Sequence, residues 1–379
     1  MKAVLVLEDG SSFDGISTDV AGEKIGQVVL NTAVVGYQEM MTDPSNAGKI
    51  LVLTYPLIGN YGTAKKFYES RKCWLAGLVI KEVSRISSNW QSEMTFADFL
   101  KKENVLSIAD VDTRTVAATI RDKGEMFGII STESSNKSEL VSKIKEFKNK
   151  NQLSHIKEIS IKKPSEIGSF PGGPKITVLD MGMLASFTKQ LNDLGCNVTL
   201  VPYDTDAKAI LAMRPDGVII SNGPEDNESI HRITDTVKAL LGKVPIMGIS
   251  SGHEIIGLAL GADRKAMAIG HHGVNYPIKG DNSYKGEITV QNHSYVLDDG
   301  AFKSRKDVSV TMRNVNDRTI EELESKSLKF ISVQYYPVSP GFGEPNSAFL
   351  RFLKMLPARK KSKAMTARSG SQEVQHAKA

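Results

Sequence analysis

The segment from residue 176 to residue 262 most constrains the fold, because strand-like and helix-like patterns alternate along it. The strand-like runs are Ile176 to Asp180, Val198 to Pro202, Gly217 to Ser221 and Val244 to Met247. The helix-like runs are Met183 to Leu194, Ala207 to Met213, Ile230 to Leu241 and Ile255 to Ala262. Such alternation predicts a doubly wound parallel sheet with helices on both faces. Any functional site is then expected at the carboxyl ends of the strands.

One of these strand-to-helix connections has the pattern of a nucleophile elbow. Gly248-Ile249-Ser250-Ser251-Gly252 follows the strand-like run that ends at Met247. A tight, glycine-flanked turn between a strand and a helix raises the central side chain above the sheet, beside the free N–H groups of the helix. Those amides can stabilise an oxyanion. The pattern therefore predicts a site built for catalysis, with Ser250 at its centre.

The same residues fit the G-x-S-x-G motif of serine hydrolases, which is an alternative interpretation. That motif requires an acid and a histidine on later strands. His271, His272 and His293 lie downstream, but no acid is evidently oriented toward them. His253, three residues after Ser250 on the helix, is expected to point away and to pack or form a hydrogen bond. Adjacent histidines seldom point at one ion, so we expect structural roles for His271 and His272 and no metal site.

The first part of the chain predicts a mixed, β-rich domain with a few helices. Strand-like runs and turn signals alternate up to residue 83, and a helical pattern follows at 96–105, ahead of the segment 109–124. The strand-like runs are Val4 to Leu7, Gln27 to Asn31, Ile50 to Thr54 and Leu75 to Val83. Three prolines and a Gly-Gly pair between residues 157 and 175 predict a linker. The predicted units are thus 1–156, the linker 157–175, 176–356, and a tail at 357–379.

Composition limits the functional classes. The tail holds six basic residues and one acidic residue, which accounts for the net charge of +5 of the whole 379-residue chain. The remaining body is neutral, so we expect no nucleic-acid binding, and we expect the tail to be a solvated extension rather than a docking element. No membrane span or signal peptide is evident, which favours a cytoplasmic protein. Cys73 and Cys196 lack metal or disulfide spacing and are expected to be buried and unreactive.

Many sequence blocks, taken in order, resemble the small subunit of carbamoyl-phosphate synthase, a class I glutamine amidotransferase. In the first part the blocks are LVLEDG, NTAVVGYQEMMTDPS, LTYPLIGNYG, SNW and DVDTR. In the second part they are LDMGM, DGVIISNGP, GIxxGH, GHHG, QNH, and SVQY followed by SPG. The resemblance extends to about Leu356. It implies an α/β protein: an N-terminal mixed β-rich small-subunit domain, then a doubly wound class I glutamine amidotransferase-like domain with a mostly parallel sheet.

The resemblance also implies that the catalytic triad has been lost. The family uses a cysteine at the elbow, a histidine, and a glutamate from a His-Pro-Glu segment. These positions are occupied here by Ser250, Tyr336 and Val338. A serine hydroxyl depends on a base, and a tyrosine with a pKa near 10 is a poor base at neutral pH.

The substrate pocket is expected to be changed as well. Ser45, Gly223 and Asn292 keep the residue types of the family's substrate contacts, whereas five other contact positions differ. The altered positions are Glu225, Ser251, Glu254, Ser294 and Tyr295. We expect the two added carboxylates, Glu225 and Glu254, to repel the carboxylate of glutamine. Glutamine binding is therefore in doubt.

Two functional classes follow from these observations. In the first, the chain is a non-catalytic partner that docks on a carbamoyl-phosphate synthase large subunit, which uses free ammonia. In the second, the chain is an enzyme with altered chemistry at the same pocket, such as a serine hydrolase or a different amidase. The resemblance implies no cofactor. The family serves pyrimidine and arginine biosynthesis, and the residues do not distinguish the two branches.

Overall fold

The first half of the chain forms a closed β-barrel. The computed structural model describes residues 1–150, 155–225, 229–281, 283–341 and 343–357. The strands of this half are β1 (Lys2–Leu7), β2 (Ser12–Ser17), β3 (Glu23–Asn31), β4 (Lys49–Leu53), β5 (Leu57–Ile58), β6 (Gly77–Val79), β7 (Glu82–Val83), β8 (Ser107–Ala109) and β9 (Phe127–Ser131). Among the described residues, seven of these strands close in the order β1-β2-β8-β6-β4-β3-β9, and β5 pairs with β7 outside the barrel.

Helices pack around this barrel and complete its cores. They are α1 (Tyr37–Thr42), α2 (Phe96–Lys102), α3 (Thr113–Lys123), α4 (Lys137–Lys150) and α5 (His155–Ile159). Phe96, Phe99 and Leu100 of α2 are fully buried against Tyr37 and Met41 of α1. The prediction of a mixed, β-rich first part is confirmed. The predicted run from Leu75 to Val83 is divided into β6 and β7, which belong to different sheets.

The second half is a three-layer α/β unit. Its strands are β10 (Ser165–Ile167), β11 (Lys175–Asp180), β12 (Asn197–Pro202), β13 (Gly217–Ile220), β14 (Ile246–Ile249), β15 (Arg264–Lys279), β16 (Gly286–Leu297), β17 (Ser309–Asn314), β18 (Ile320–Ser325) and β19 (Phe330–Val333). Its helices are α6 (Ala185–Asp193), α7 (Ala207–Ala212), α8 (Ile230–Leu240), α9 (Ser251–Ala259) and α10 (Ser347–Lys354). The sheet order is β10-β12-β11-β13-β14-β19-β18-β17-β15-β16.

The parallel core of this sheet agrees with the predicted doubly wound fold. Strands β12, β11, β13, β14 and β19 run parallel to one another. Helices α7, α8 and α9 cover one face of the core, and α6 and α10 cover the other. The antiparallel strands β18, β17, β15 and β16 extend the sheet beyond β19. The alternation on which the prediction rested ends before these strands.

The segment predicted as a linker contains regular structure. Residues 157–159 complete α5, and β10 pairs antiparallel with β12 at the edge of the sheet. The linker pattern did not reveal β10, because three residues of an edge strand give too short a pattern to detect, and the linker 157–175 stays a prediction. The predicted basic tail lies outside the described residues apart from Pro357. Within the described part of the chain, no helix combines the length and the apolar character needed to cross a bilayer.

Both cysteines lie in apolar surroundings, as predicted. Cys73 and Cys196 are buried and free. Burial raises the pKa of Cys73 to about 12 and that of Cys196 to about 11, so both remain protonated thiols near neutral pH.

Candidate functional site

The predicted elbow is present at the carboxyl end of β14. Ser250 has φ 52° and ψ −111°, and α9 begins directly after it at Ser251. The flanking glycines are required: a Cβ on Gly252 would lie 2.1 Å from the carbonyl oxygen of Ile220, and one on Gly248 would lie 2.6 Å from that of Gly252. A serine held in this region of backbone space stores roughly 1–3 kcal/mol of strain. The backbone thus keeps a nucleophile-elbow conformation.

The side chain at the centre of the elbow is not activated. Ser250 is 1% exposed, and its Oγ has no hydrogen-bond partner among the described residues. Its backbone N–H donates to the carbonyl of Val333 at 2.8 Å. A serine becomes a useful nucleophile only when a base accepts its proton. The local structure supplies the position for such chemistry but not the base.

Tyr336, at the position of the family's histidine, instead contacts the barrel domain. Its hydroxyl lies 2.8 Å from Oδ2 of Asp43 and 2.8 Å from Oγ of Ser45. Burial, together with the charge of Asp43, raises the pKa of Tyr336 well above 10. The tyrosine is therefore a hydrogen-bonding neutral phenol rather than a base. The Phe187 ring packs edge-on against it at 5.6 Å.

Ser45 and Asn292 are two of the positions at which the family's residue type is retained, and both take part in the same contact between domains. Asn292 donates through Nδ2 to Asp43 Oδ2 at 2.9 Å and to Asn46 Oδ1 at 3.1 Å. Asn222 donates to Ser45 Oγ at 3.2 Å. Asp43 lay within a block quoted for the resemblance but was not predicted as a site residue. Its carboxylate is the common acceptor at this boundary.

Val338, at the position of the family's glutamate, lines a cavity of about 110 Å³ between the two domains. Tyr336 and Asn292 also line this cavity, together with the carboxyl groups of Asp43, Glu39 and Glu69. Burial raises the pKa of Glu69 to about 7 and also raises that of Glu39. An apolar valine has no acceptor with which to orient a base. Of the three positions that the resemblance assigns to the triad, Tyr336 and Val338 line this cavity, whereas Ser250 is not among its lining residues.

Glu225 binds the backbone of two other altered positions. Its Oε1 accepts the N–H groups of Ser294 at 2.7 Å and Tyr295 at 3.0 Å. Its Oε2 lies 3.8 Å from Nζ of Lys49, and both side chains are 8% exposed. Glu225 is therefore partnered within the protein, and its expected repulsion of the carboxylate of glutamine stays a prediction. The carboxylate occupies two amide donors at positions that the resemblance assigns to substrate contact.

Glu254 is likewise partnered rather than bare. It is 1% exposed, lies 3.2 Å from Nη1 of Arg264 and accepts a 3.3 Å hydrogen bond from Gln334. Burial and the nearby Glu225 raise its pKa, while Arg264 opposes the shift. The Arg264 guanidinium lies 4.3 Å from the ring centroid of Tyr295. Glu254 and Tyr295 are thus joined through one arginine that carried no sequence signal.

The remaining predicted pocket residues have structural partners. Ser251 Oγ donates to the carbonyl of Gly223 at 2.5 Å. Gly223 has no space for a side chain, since a Cβ would lie 2.3 Å from the carbonyl of Met181. Ser294 Oγ donates to Oε2 of Glu125 at 3.0 Å. Glu125, which sequence analysis missed, lies 3.2 Å from Nε2 of His272 across the domain boundary.

Among the described residues, no histidine forms a hydrogen bond with Oγ of Ser250. His253 is fully buried and shares a 2.9 Å hydrogen bond with Ser332, as expected for a packing histidine, and burial lowers its pKa to about 3. His271 and His272 are adjacent on a strand, so their side chains point to opposite faces. His272 contacts Asn292 and His271 contacts Gln291. The serine-hydrolase interpretation therefore lacks the base that it requires.

Comparison with known proteins identifies both halves of the chain. Residues 5–130 match the family model described as carbamoyl-phosphate synthase small chain, CPSase domain, and residues 177–355 match that of class I glutamine amidotransferases. The carbamoyl phosphate synthase small chain of Staphylococcus saprophyticus is 39% identical over 356 residues, covering 94% of this chain and 96% of that protein. The pyrimidine-specific small chain of Bacillus subtilis is 38% identical over 359 residues, with coverages of 94% and 96%.

Proposed function

The chain belongs to the family of carbamoyl-phosphate synthase small chains, and from this premise we propose that it is a small subunit that does not hydrolyse glutamine. In this proposal it acts as a non-catalytic partner of the large synthetase subunit, which uses free ammonia. The observation that carries the proposal is the Tyr336 hydroxyl, bound to Asp43 and Ser45, while Ser250 Oγ has no partner. A general base contributes typically 10²–10⁴-fold to such a reaction.

Loss of substrate binding accompanies loss of the base. The Glu225 carboxylate accepts the amides of Ser294 and Tyr295 and lies near Lys49, as the carboxylate of a ligand would. To bind there, a free amino acid must displace the Glu225 carboxylate. Glu225 is part of the chain, so its carboxylate binds without the loss of translational freedom that a free ligand undergoes. The protein's own Glu225 carboxylate thus occupies the part of the pocket that would bind the carboxylate of a ligand. This supports a chain that binds glutamine weakly or not at all.

The partner role is supported by apolar side chains exposed on the barrel domain. Trp90 is 90% exposed, Ile86 is 76% exposed, and Val35 is 60% exposed. Large exposed apolar side chains, tryptophan above all, are typical of protein interfaces. The barrel's own folding does not require them to be apolar. We assign these three side chains, Val35, Ile86 and Trp90, to contact with the large subunit.

One experiment tests both parts of the proposal. The chain and a cognate large subunit are purified separately, mixed, and assayed for ammonia release from glutamine and for carbamoyl phosphate formation from ammonium. We expect a complex, ammonium-dependent synthesis, and no ammonia release above background. Trp90→Ala is expected to weaken the complex by at least about tenfold, or ~1.4 kcal/mol, whereas Tyr284→Ala, an exposed aromatic of the other domain, serves as the control.

Glutamine hydrolysis at about 1 per second or more would disprove the non-catalytic role. Failure of the pair to associate would disprove the partner role.

The product would supply pyrimidine synthesis, in keeping with the pyrimidine-specific name of the Bacillus subtilis relative. The proposal also keeps the division of the chain into 1–156, 157–175, 176–356 and 357–379, with the last segment unnecessary for association.

A second candidate function is altered chemistry at Ser250, favoured only by the retained elbow conformation. A serine-directed fluorophosphonate distinguishes the two functions. The non-catalytic role predicts no labelling of Ser250, with Ser250→Ala as the matched control. Labelling of the wild-type chain that is absent in Ser250→Ala would favour the altered enzyme.

A further inference from the structure

A buried group of imidazoles and carboxylates lies in the antiparallel part of the sheet. His271 on β15 and His293 on β16 are register partners, and Glu321 lies on β18. Their exposed fractions are 7%, 0% and 0%. Nδ1 of His271 and Nε2 of His293 each lie 2.8 Å from the same atom, Oε1 of Gln291. Two imidazole nitrogens therefore converge on one point.

Thr289 fixes which end of the Gln291 amide faces the imidazoles. The Thr289 hydroxyl donates its hydrogen to the carbonyl of Tyr276 at 2.8 Å. Its oxygen is then an acceptor, and Nε2 of Gln291 donates to it at 3.2 Å. The amide nitrogen must lie on the Thr289 side, so the amide oxygen must face both imidazoles. An oxygen with only lone pairs is thus the shared neighbour of the two ring nitrogens.

The outer nitrogens of the same two rings also face acceptors. Nδ1 of His293 lies 2.9 Å from the carbonyl oxygen of Tyr295, and Nε2 of His271 lies 2.9 Å from Oδ2 of Asp317. Each outer nitrogen must therefore carry a hydrogen. A neutral imidazole has only one N–H, so the inner nitrogens would direct lone pairs at the Gln291 oxygen. Two nitrogen lone pairs and the Gln291 oxygen would then face one another, and only positive charge between these groups removes their repulsion.

Protons alone are a poor source of that charge. Asp317 lies 2.9 Å from Nε2 of His271 and would stabilise a proton there, but a proton on His293 would add a second buried imidazolium, with ring centroids 5.0 Å apart, whose outer nitrogen faces only a backbone carbonyl. Like charges at that separation repel, and burial penalises each of them. A metal ion resolves the conflict differently, because both rings stay neutral and both inner lone pairs become ligands.

The geometry points to a divalent metal site of the zinc class, formed by His271, His293 and Glu321. The donor atoms of these three residues all lie within 4.8 Å of one another. Oε2 of Glu321 is buried and has no hydrogen-bond partner among the described residues. Two imidazoles and one carboxylate suit Zn²⁺, and Oε1 of Gln291 or a water completes four ligands.

The surroundings have the features expected around metal-bound histidines. Such histidines almost always donate their other N–H to a carboxylate or a backbone carbonyl, and here Asp317 and the Tyr295 carbonyl are those acceptors. The Asp317 side chain is 36% exposed, which provides a path from solvent. The ion would join the β15–β16 hairpin to β18 beneath the face that presents His272 and Asn292. This role is structural and does not depend on the proposed function.

The test is metal uptake by the full, tag-free chain. Protein stripped with a chelator is incubated with Zn²⁺, dialysed and analysed for metal by mass spectrometry, and parallel samples take up Co²⁺ for visible spectroscopy. We expect about one Zn²⁺ per chain and a tetrahedral Co²⁺ spectrum. His293→Gln and Glu321→Gln are expected to abolish both. The partly exposed Asp317→Asn is expected to weaken uptake about 10–100-fold without unfolding the chain.

His231→Gln, an exposed histidine on α8, is the matched control and should bind like the wild type. If the wild-type chain retains no more zinc than His293→Gln, the cluster is held by protons alone and the proposal fails. If zinc is retained equally by the wild type, Asp317→Asn and His293→Gln, the ion lies elsewhere and the proposal also fails. Far-ultraviolet circular dichroism of each variant confirms that a loss of zinc is not a loss of fold.

Discussion

The hydroxyl of Tyr336 lies 2.8 Å from Oδ2 of Asp43, and this bond joins the amidotransferase-like domain to the barrel. Asn292 donates to the same carboxylate oxygen at 2.9 Å. Tyr336, which the resemblance assigns to the family's histidine position, thus contacts the other domain. Asp43 is 4% exposed, so its oxygens depend on these donors rather than on water. Stability rather than turnover is therefore the property most sensitive to Tyr336.

Tyr336→Phe should lower the free energy of unfolding by about 1–3 kcal/mol, the cost of leaving a buried acceptor short of a donor. Urea denaturation followed by fluorescence measures this change. Tyr284→Phe, which removes the hydroxyl of a fully exposed tyrosine, should change stability by less than ~0.5 kcal/mol. Equal effects of the two substitutions would contradict a role for Tyr336 between the domains.

Ser250→Gly should stabilise the protein by about 1 kcal/mol, because glycine adopts a φ of 52° without strain. The substitution also removes a buried hydroxyl that has no partner. The gain is smaller than the full strain because glycine makes the unfolded chain more flexible. Thermal and urea denaturation provide the measurement.

Ser142→Gly is the matched control, since Ser142 is an exposed residue within α4. Glycine within a helix costs roughly 0.5–1 kcal/mol relative to alanine, so this variant should lose stability. A loss of stability in Ser250→Gly as well would mean that the elbow is not strained.

Much of the fold could be predicted because its patterns are local. The run from residue 176 to Ile249 alternates strands and helices, and each predicted element overlaps an observed one. The elbow at Ser250 also follows from local sequence, since Gly248 and Gly252 have no room for side chains. The barrel and the antiparallel strands β15 to β18 depend on pairing between distant segments, which periodicity within one segment does not encode.

The chemistry of the site was less accessible from sequence. The positions of Ser250, Tyr336 and Val338 could be named, but the partners of Glu225 could not, because Lys49 and the amide of Ser294 are far away in the chain. A carboxylate inserted into a pocket was expected to repel. The folded chain brings distant donors to this carboxylate, as it brings Arg264 to Glu254, while the expected repulsion stays a prediction.

The contact between Glu125 and His272 predicts a pH dependence of stability. Burial alone would raise the pKa of Glu125, but the charge and hydrogen bond of His272 outweigh it and lower the pKa from 4.5 to about 2. A depressed folded-state pKa gives stability that is complete above the unfolded value and is lost as the pH falls toward the folded value. The relevant window is therefore about pH 4.5 down to pH 2.

Between pH 6 and pH 3 this carboxylate should account for a loss of about 2 kcal/mol of unfolding free energy. In Glu125→Gln that part of the pH dependence should be absent, while the remaining acid sensitivity persists. Urea denaturation of both proteins at the two pH values gives the difference. Glu166→Gln, an exposed acid on β10, is the control. Parallel pH profiles for the wild type and Glu125→Gln would contradict the assignment.

Removal of the Glu225 carboxylate should allow a ligand to bind in the pocket. Glu225→Gly frees the amides of Ser294 and Tyr295 and removes the carboxylate that lies 3.8 Å from Nζ of Lys49. Calorimetric titration with L-glutamate or L-glutamine should then show binding at least about tenfold tighter than in the wild type, or ~1.4 kcal/mol. Glu225→Gln should bind no better than the wild type, because its amide oxygen still accepts from the same donors. Equal binding by the wild type and Glu225→Gly would show that Glu225 does not block the ligand.

Stepwise repair distinguishes a site that lacks only its nucleophile from one that has been dismantled. Ser250→Cys alone should restore almost no ammonia release, since no base reaches position 250 and triad members act as a unit. Adding Tyr336→His and Val338→Glu supplies the base and its orienting acid, but it also removes the Tyr336 bond to Asp43. The triple variant should therefore stay weak.

The largest increase in ammonia release should come with Glu225→Gly and Glu254→Gln. The first frees the amides of Ser294 and Tyr295, and the second removes another buried carboxylate. A glutamine-mimicking electrophile reports thiol reactivity and pocket occupancy at once, and Cys73 and Cys196 do not compete because both are buried. Mass spectrometry should find little labelling at position 250 in the single variant and strong labelling in the five-fold variant. Efficient labelling of Ser250→Cys alone would mean that the pocket still admits glutamine beside Glu225, and the dismantled-site proposal would then be wrong.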